Sequence, residues 1–169
     1  MQRFKAFTLI ELLVTSGITA ILMLAVSSLF ITFLATAFKS RISQNLRESG
    51  NNAMIQMVEM IRSASEITSF CIKDQPLNYI TIVGPDGLES TIIEEDDRIA
   101  SLSATKKSYL TESATSTNYV NDLIFDCYPT SEGKKYIQIS FTLKAGDNIA
   151  SNSARSTTLD FSSGIATRN

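Results

Sequence analysis

The sequence contains no histidine. Serine–histidine–aspartate and cysteine–histidine nucleophile systems are therefore excluded, as are histidine metal sites of the HExxH type. Only two cysteines are present, Cys71 and Cys127, which excludes a four-cysteine zinc site within one chain. Charge is scarce and nearly balanced: 15 lysines and arginines stand against 17 acids, a net charge of −2. Nucleic-acid binding calls for a basic surface, and this composition offers none. Proline is absent before Pro76, so no proline breaks a helix in the N-terminal part of the chain.

What is present divides unevenly along the 169 residues, of which 44% are apolar. That is enough for one domain with a core and one added segment. Residues 1–6 carry Arg3 and Lys5 and no acid. Residues 7–38 then contain a single charge, Glu11. A hydrocarbon core needs only about 20 helical residues to cross. A cleaved secretory signal has an apolar core of about 7–15 residues, which this run exceeds. Arg3 and Lys5 predict a cytoplasmic N-terminus, although Lys39 and Arg41 on the far side weaken that bias.

After residue 38 the helical period persists while the composition changes. Ile42, Leu46, Met54, Met57 (or Val58) and Ile61 recur every three to four residues. Ser40, Gln44, Arg47, Asn51, Glu59, Arg62 and Glu66 fill the other side. The pattern predicts an amphipathic helix over 39–66 that continues the apolar one. Gly50-Asn51-Asn52 is its expected weak point, where the helix would bend or fray.

The remainder, 67–169, reads as strands. Ile137, Ile139, Phe141 and Leu143 alternate with Tyr136, Gln138, Ser140 and Thr142. Leu159 and Phe161 repeat the pattern, and Leu123, Phe125 and Cys127 share one face of another strand. Ile80 and Ile82 open a hairpin that turns at Pro85-Asp86-Gly87 and returns through 90–94. The serine- and threonine-rich stretch 101–118 is expected to be a long surface connection. The fold class is α+β: a long N-terminal helix, transmembrane then amphipathic, packed on an antiparallel sheet with one apolar face.

Glu11 needs an explanation, since an acid inside a spanning segment costs about 2.5–3.5 kcal/mol at the centre and less near the interface. It either sits in the headgroup zone of a plain anchor or meets a positive partner within lipid. The segment Lys5-Ala6-Phe7-Thr8-Leu9-Ile10-Glu11-Leu12-Leu13-Val14 resembles the prepilin leader of type IV pilins and type II secretion pseudopilins. That resemblance implies cleavage between Ala6 and Phe7 by a prepilin peptidase, then N-methylation of Phe7. It implies that Glu11 neutralises the Phe7 amine of a neighbouring subunit and so sets assembly register. The implied partners are the peptidase, other pilin or pseudopilin subunits and the inner-membrane assembly machinery. The implied location is a single-pass membrane precursor, its C-terminal domain extracytoplasmic, that later enters a filament or pseudopilus. Ala6 departs from the glycine usual before the cut. Residues 164–169 resemble the tails of minor subunits of the J or W kind. With no proline in the helix, and with the long Ser/Thr connection 101–118, this favours a minor subunit.

The other signals are weaker. Outside the cytoplasm, Cys71 and Cys127 would form a disulfide; two buried thiols are the alternative. The run Glu94-Glu95-Asp96-Asp97 lacks the spacing of a calcium loop and is expected to be solvated. Asp86, Asp122 and Asp126 are scattered acids with no catalytic pattern. Neither a cofactor nor a metal is expected, and the chain is read as a structural protein rather than an enzyme. Two alternatives stay open. One is a filament-mounted binding module, for which Tyr79, Tyr109, Tyr119, Tyr128 and Tyr136 are candidate contacts. The other is an uncleaved signal-anchored protein.

Overall fold

The computed structural model describes residues 8–70, 72, 75–104, 106–111, 118–129, 135–145 and 157–167. One helix, α1 (Leu9–Ser63), precedes eight strands. They are β1 (Glu66–Ile67), β2 (Tyr79–Val83), β3 (Glu89–Glu95), β4 (Arg98–Ser103), β5 (Lys106–Tyr109), β6 (Asn118–Pro129), β7 (Lys135–Ala145) and β8 (Thr157–Ala166). This is an α+β arrangement of the pilin-like kind, one long helix followed by antiparallel sheets. The chain forms two compact units, Met1–Arg41 and Ile42–Asn169.

In the first unit α1 buries nothing. Leu13, Leu22 and Phe30 are 66%, 59% and 61% exposed. Most of its hydroxyls are satisfied one turn back along the helix. Thr19 Oγ1 donates to the Thr15 carbonyl at 2.7 Å, and Ser27 Oγ to that of Met23 at 2.8 Å. Thr32 and Thr36 do the same at 3.0 and 2.9 Å. A helix surrounded by hydrocarbon must satisfy its polar groups internally, and these do. The stretch is long and apolar enough to cross a membrane.

In the second unit the same helix acquires a core face. Leu46, Ala53, Met57 and Ile61 are at most 1% exposed. They pack with Ile80, Ile92, Ile99, Phe125, Ile137, Ile139 and Phe141 from the strands. The predicted stripe is therefore correct, with Met54 buried and Ile42 and Val58 partly so. The helix ends three residues before 66, because Glu66 already pairs with Val83 in β1.

Gly50 is not a weak point. It lies buried in unbroken helix, and a Cβ there would run into the Phe161 ring of β8. The glycine permits close approach of helix and strand, which outweighs its low helix propensity.

The strands form two antiparallel sheets, β1-β2-β3-β4-β5 and β6-β7-β8, where a single sheet was expected. Leu77, just before β2, makes an isolated bridge to Phe125 of β6. The turn at Pro85-Asp86-Gly87 closes the β2–β3 hairpin as predicted. Gly87 has φ 78°, and Asp86 Oδ1 accepts the Leu88 N–H at 3.1 Å. The stretch 101–118 is not one connection: it holds the end of β4 and all of β5. Their apolar residues are few, so the alternation that reveals β7 is nearly silent there. Ladder pairing builds them instead, β4 on β3 and β5 on β4. Residues 112–117 lie outside the described ones.

Candidate functional site at the helix N-terminus

The first described turn of α1 places Glu11. Thr8 stands just before the helix, and its Oγ1 accepts the Glu11 N–H at 3.3 Å. The Thr8 carbonyl receives the N–H groups of Glu11 and Leu12 at 3.1 and 3.3 Å. Thr8 is therefore the N-cap and Glu11 the third helical residue, the Thr-x-x-Glu spacing of a capping box. An acid in the first turn also faces the positive end of the helix dipole. This role of Thr8 was missed in the sequence, although the spacing of Thr8 and Glu11 announces it.

The Glu11 side chain has no partner among the described residues and is exposed. Its carbonyl accepts the Thr15 hydroxyl at 2.9 Å. Chemically this leaves a carboxylate on an apolar helix, four residues beyond Phe7 and available to a cation. Ala6 and Phe7 lie outside the described residues.

The other candidates fall elsewhere. Cys127 is 2% exposed on the inward face of β6, and no cysteine among the described residues is free. Cys71 lies outside the described residues. The acid run is a solvated turn only in its second half. Glu94 and Glu95 end β3, while Asp96 and Asp97, with φ 52° and 57°, form the two-residue turn into β4. Positive φ at both central positions is the hairpin turn that matches strand twist, and Asp tolerates it. Three of the four carboxylates have a protein partner, and Asp97 contributes its main-chain carbonyl. Glu94 accepts the Leu123 N–H at 3.2 Å. Glu95 meets Lys107 at 2.8 Å. Asp96 takes the Tyr109 hydroxyl at 3.2 Å. The Asp97 carbonyl takes the Val120 N–H at 2.8 Å. The bonds from Lys107 to Glu95, and then to Tyr109, hold its ammonium above the ordinary lysine range.

Asp86 serves its turn, and Asp122, with φ 57°, sits in a β6 bulge. Asp126 stands opposite Gln138 in the ladder. The five tyrosines are distributed over β2, β5, β6 and β7. Tyr128 and Tyr136 alone face one another, with ring centroids 6.2 Å apart. Tyr109 is occupied, with the Arg98 guanidinium 4.3 Å from its ring centroid.

Residues 1–27 match the family model of the prokaryotic N-terminal methylation motif. This is the signal of type IV pilin and pseudopilin precursors, and it spans the leader, Thr8, Glu11 and the first turns of α1. Comparisons with curated proteins and with solved structures gave no match. The motif is that of a pilin-like precursor and implies processing by prepilin peptidase and assembly with other subunits, and the apolar helix fits a membrane anchor.

Proposed function

We propose that the chain is a structural subunit of a type IV pilus or type II secretion filament. The peptidase cuts between Ala6 and Phe7 on the cytoplasmic face, and Phe7 becomes the methylated N-terminus. Glu11 then pairs with the Phe7 amine of a neighbour as the apolar helix leaves lipid for the filament. The domain 67–169 stays outside the membrane, tied to the helix exit by a Cys71–Cys127 disulfide. The reading rests above all on the match of residues 1–27 to the methylation motif. The exposed carboxylate of Glu11 on an otherwise apolar turn supports it. A minor rather than bulk subunit is favoured by the proline-free helix and by the resemblance of residues 164–169 to minor-subunit tails, whereas the Ser/Thr connection is partly strand and no longer argues for it. The proposed role is assembly, with no catalytic step of its own.

Intact mass of the protein from its native membrane, with and without reductant, tests this. A chain beginning at methylated Phe7, gaining two hydrogens on reduction, is expected. A full-length mass from Met1 in cells with an active peptidase would leave only a plain signal anchor, and the role given to Glu11 would fall.

A further inference from the structure

The two sheets have four outer edges, and three are closed to pairing. β1 has only two residues. β5 has four and carries Lys106 and Lys107, and short, lysine-bearing edges resist strand addition. Three outward N–H groups of β6 are taken. Val120 donates to the Asp97 carbonyl, Leu123 to Glu94, and Phe125 to the Leu77 carbonyl.

β8 is different. It runs ten residues, contains no proline or lysine, and has Asp160 as its single charge. Thr167, directly opposite Lys135 in the β7–β8 register, donates its N–H to the Lys135 carbonyl at 2.8 Å. Hydrogen-bonded pairs alternate along an antiparallel ladder. The odd-numbered residues of β8 therefore bond to β7, and the even ones, from Thr158 to Ala166, turn N–H and C=O outward. No backbone partner meets them among the described residues. On the core side, Leu159 and Phe161 are only partly covered.

We propose that the free edge of β8 accepts an extended segment of a different polypeptide, which adds as a fourth strand to the β6-β7-β8 sheet. Main-chain bonds to the even-numbered residues would hold it, and alternate side chains would set its identity. The fitting strand is apolar at every second residue, to complete the cover of Leu159 and Phe161. Its other face carries hydroxyls, with a basic residue beside Asp160. A second copy in head-to-tail order is a poor donor, because its other edges are closed. A two-fold β8–β8 pair is a poor match as well, because it puts two Asp160 carboxylates on one face of a joined sheet with no lysine on either strand to offset them.

The test uses the full chain in detergent micelles. The probe is a labelled synthetic peptide of alternating valine and threonine flanked by lysines, N-methylated at every second residue so that one edge alone can bond. Fluorescence anisotropy should show saturable one-to-one binding. Ser162→Pro, which deletes an outward N–H unused by β7, should weaken it at least about tenfold. Ser163→Ala should leave it unchanged, and a peptide methylated at every amide should not bind. Where circular dichroism shows that Ser162→Pro unfolds the domain, Ala166→Pro at the strand end gives the same comparison. No binding, binding indifferent to proline, or equal binding of the fully methylated peptide overturns the proposal. A dimer by light scattering that Ser162→Pro dissolves also overturns it, in favour of a second copy. The mature N-terminal mass is read independently, so failure here and failure of the filament reading are distinguishable.

Discussion

Between Leu9 and Arg41 the helix α1 buries no side chain, whereas between Ile42 and Ser63 it buries Leu46, Met57 and Ile61 almost completely. Secondary structure is the same in both stretches. The difference lies in what surrounds them. The first stretch is apolar on every side, and its serines and threonines bond back to the helix, so its fitting neighbour is lipid or another apolar helix. The second keeps its apolar residues on one stripe and finds its neighbour within the same chain. Helix formation is thus shared by the two halves, while folding stability comes from the second alone.

The largest expected effect concerns the one acid in the first stretch. Glu11→Ala should leave membrane insertion intact or improved, because it removes an ionised group from an apolar segment. Incorporation into filaments should fall by more than about a hundredfold, since losing one member of a buried ion pair costs about 3–5 kcal/mol. Fractionation of membrane and sheared filaments separates the two readouts. Normal incorporation would show that the first stretch assembles by apolar packing alone.

Next in size is the same substitution made on each side of the divide. Leu46→Ala should destabilise the folded domain by about 2–5 kcal/mol, since Leu46 is fully buried. Leu22→Ala should change it by less than about 0.5 kcal/mol. Denaturant unfolding of the full chain in micelles, followed by near-ultraviolet dichroism, measures both. Equal effects would mean that the two stretches unfold as one.

How much of this was legible in the sequence follows from how burial is written. In β7, each of Ile137, Ile139, Phe141 and Leu143 is at most 2% exposed, and strict alternation announced the strand. The apolar run and Glu11 were equally plain, because a lone charge in such a run stands out. β4 and β5 were not legible, since serine, alanine and lysine carry no period and ladder pairing, β4 on β3 and β5 on β4, decides their state. Division into two sheets was hidden for a related reason. It depends on where a ladder ends, with β5 pairing only with β4 and β6 only with β7.

The two helical glycines make a smaller and sharper contrast. A Cβ at Gly17 meets nothing nearby, whereas at Gly50 it meets the Phe161 ring. Gly17→Ala should favour the helix by up to about 1 kcal/mol, as alanine does wherever space allows. Gly50→Ala should instead destabilise the domain by about 1–3 kcal/mol, the usual result of overpacking. Opposite signs for one substitution in one helix would show that tertiary contact, not propensity, governs the second stretch. Combining Gly50→Ala with Phe161→Leu should recover part of the loss, which identifies the ring as the obstacle.

The smallest expected effect lies at the start of α1. Thr8 Oγ1 accepts the Glu11 N–H, so it supports both the helix start and the residue that carries the carboxylate. Replacing a threonine cap by alanine costs about 1 kcal/mol. That corresponds to a several-fold faster exchange of the Glu11 amide hydrogen, measurable by mass spectrometry or magnetic resonance in micelles. Thr8→Ser keeps the acceptor oxygen and should exchange as the parent does. Thr8→Val keeps the shape but not the oxygen, and should behave as alanine does. The domain beyond Ile42 should be unaffected in all three, because its core contains no residue before Leu46. A change in its unfolding would contradict the division drawn above: the helix start would then be coupled to the core. An unchanged domain with a frayed first turn would confine the role of Thr8 to presenting Glu11.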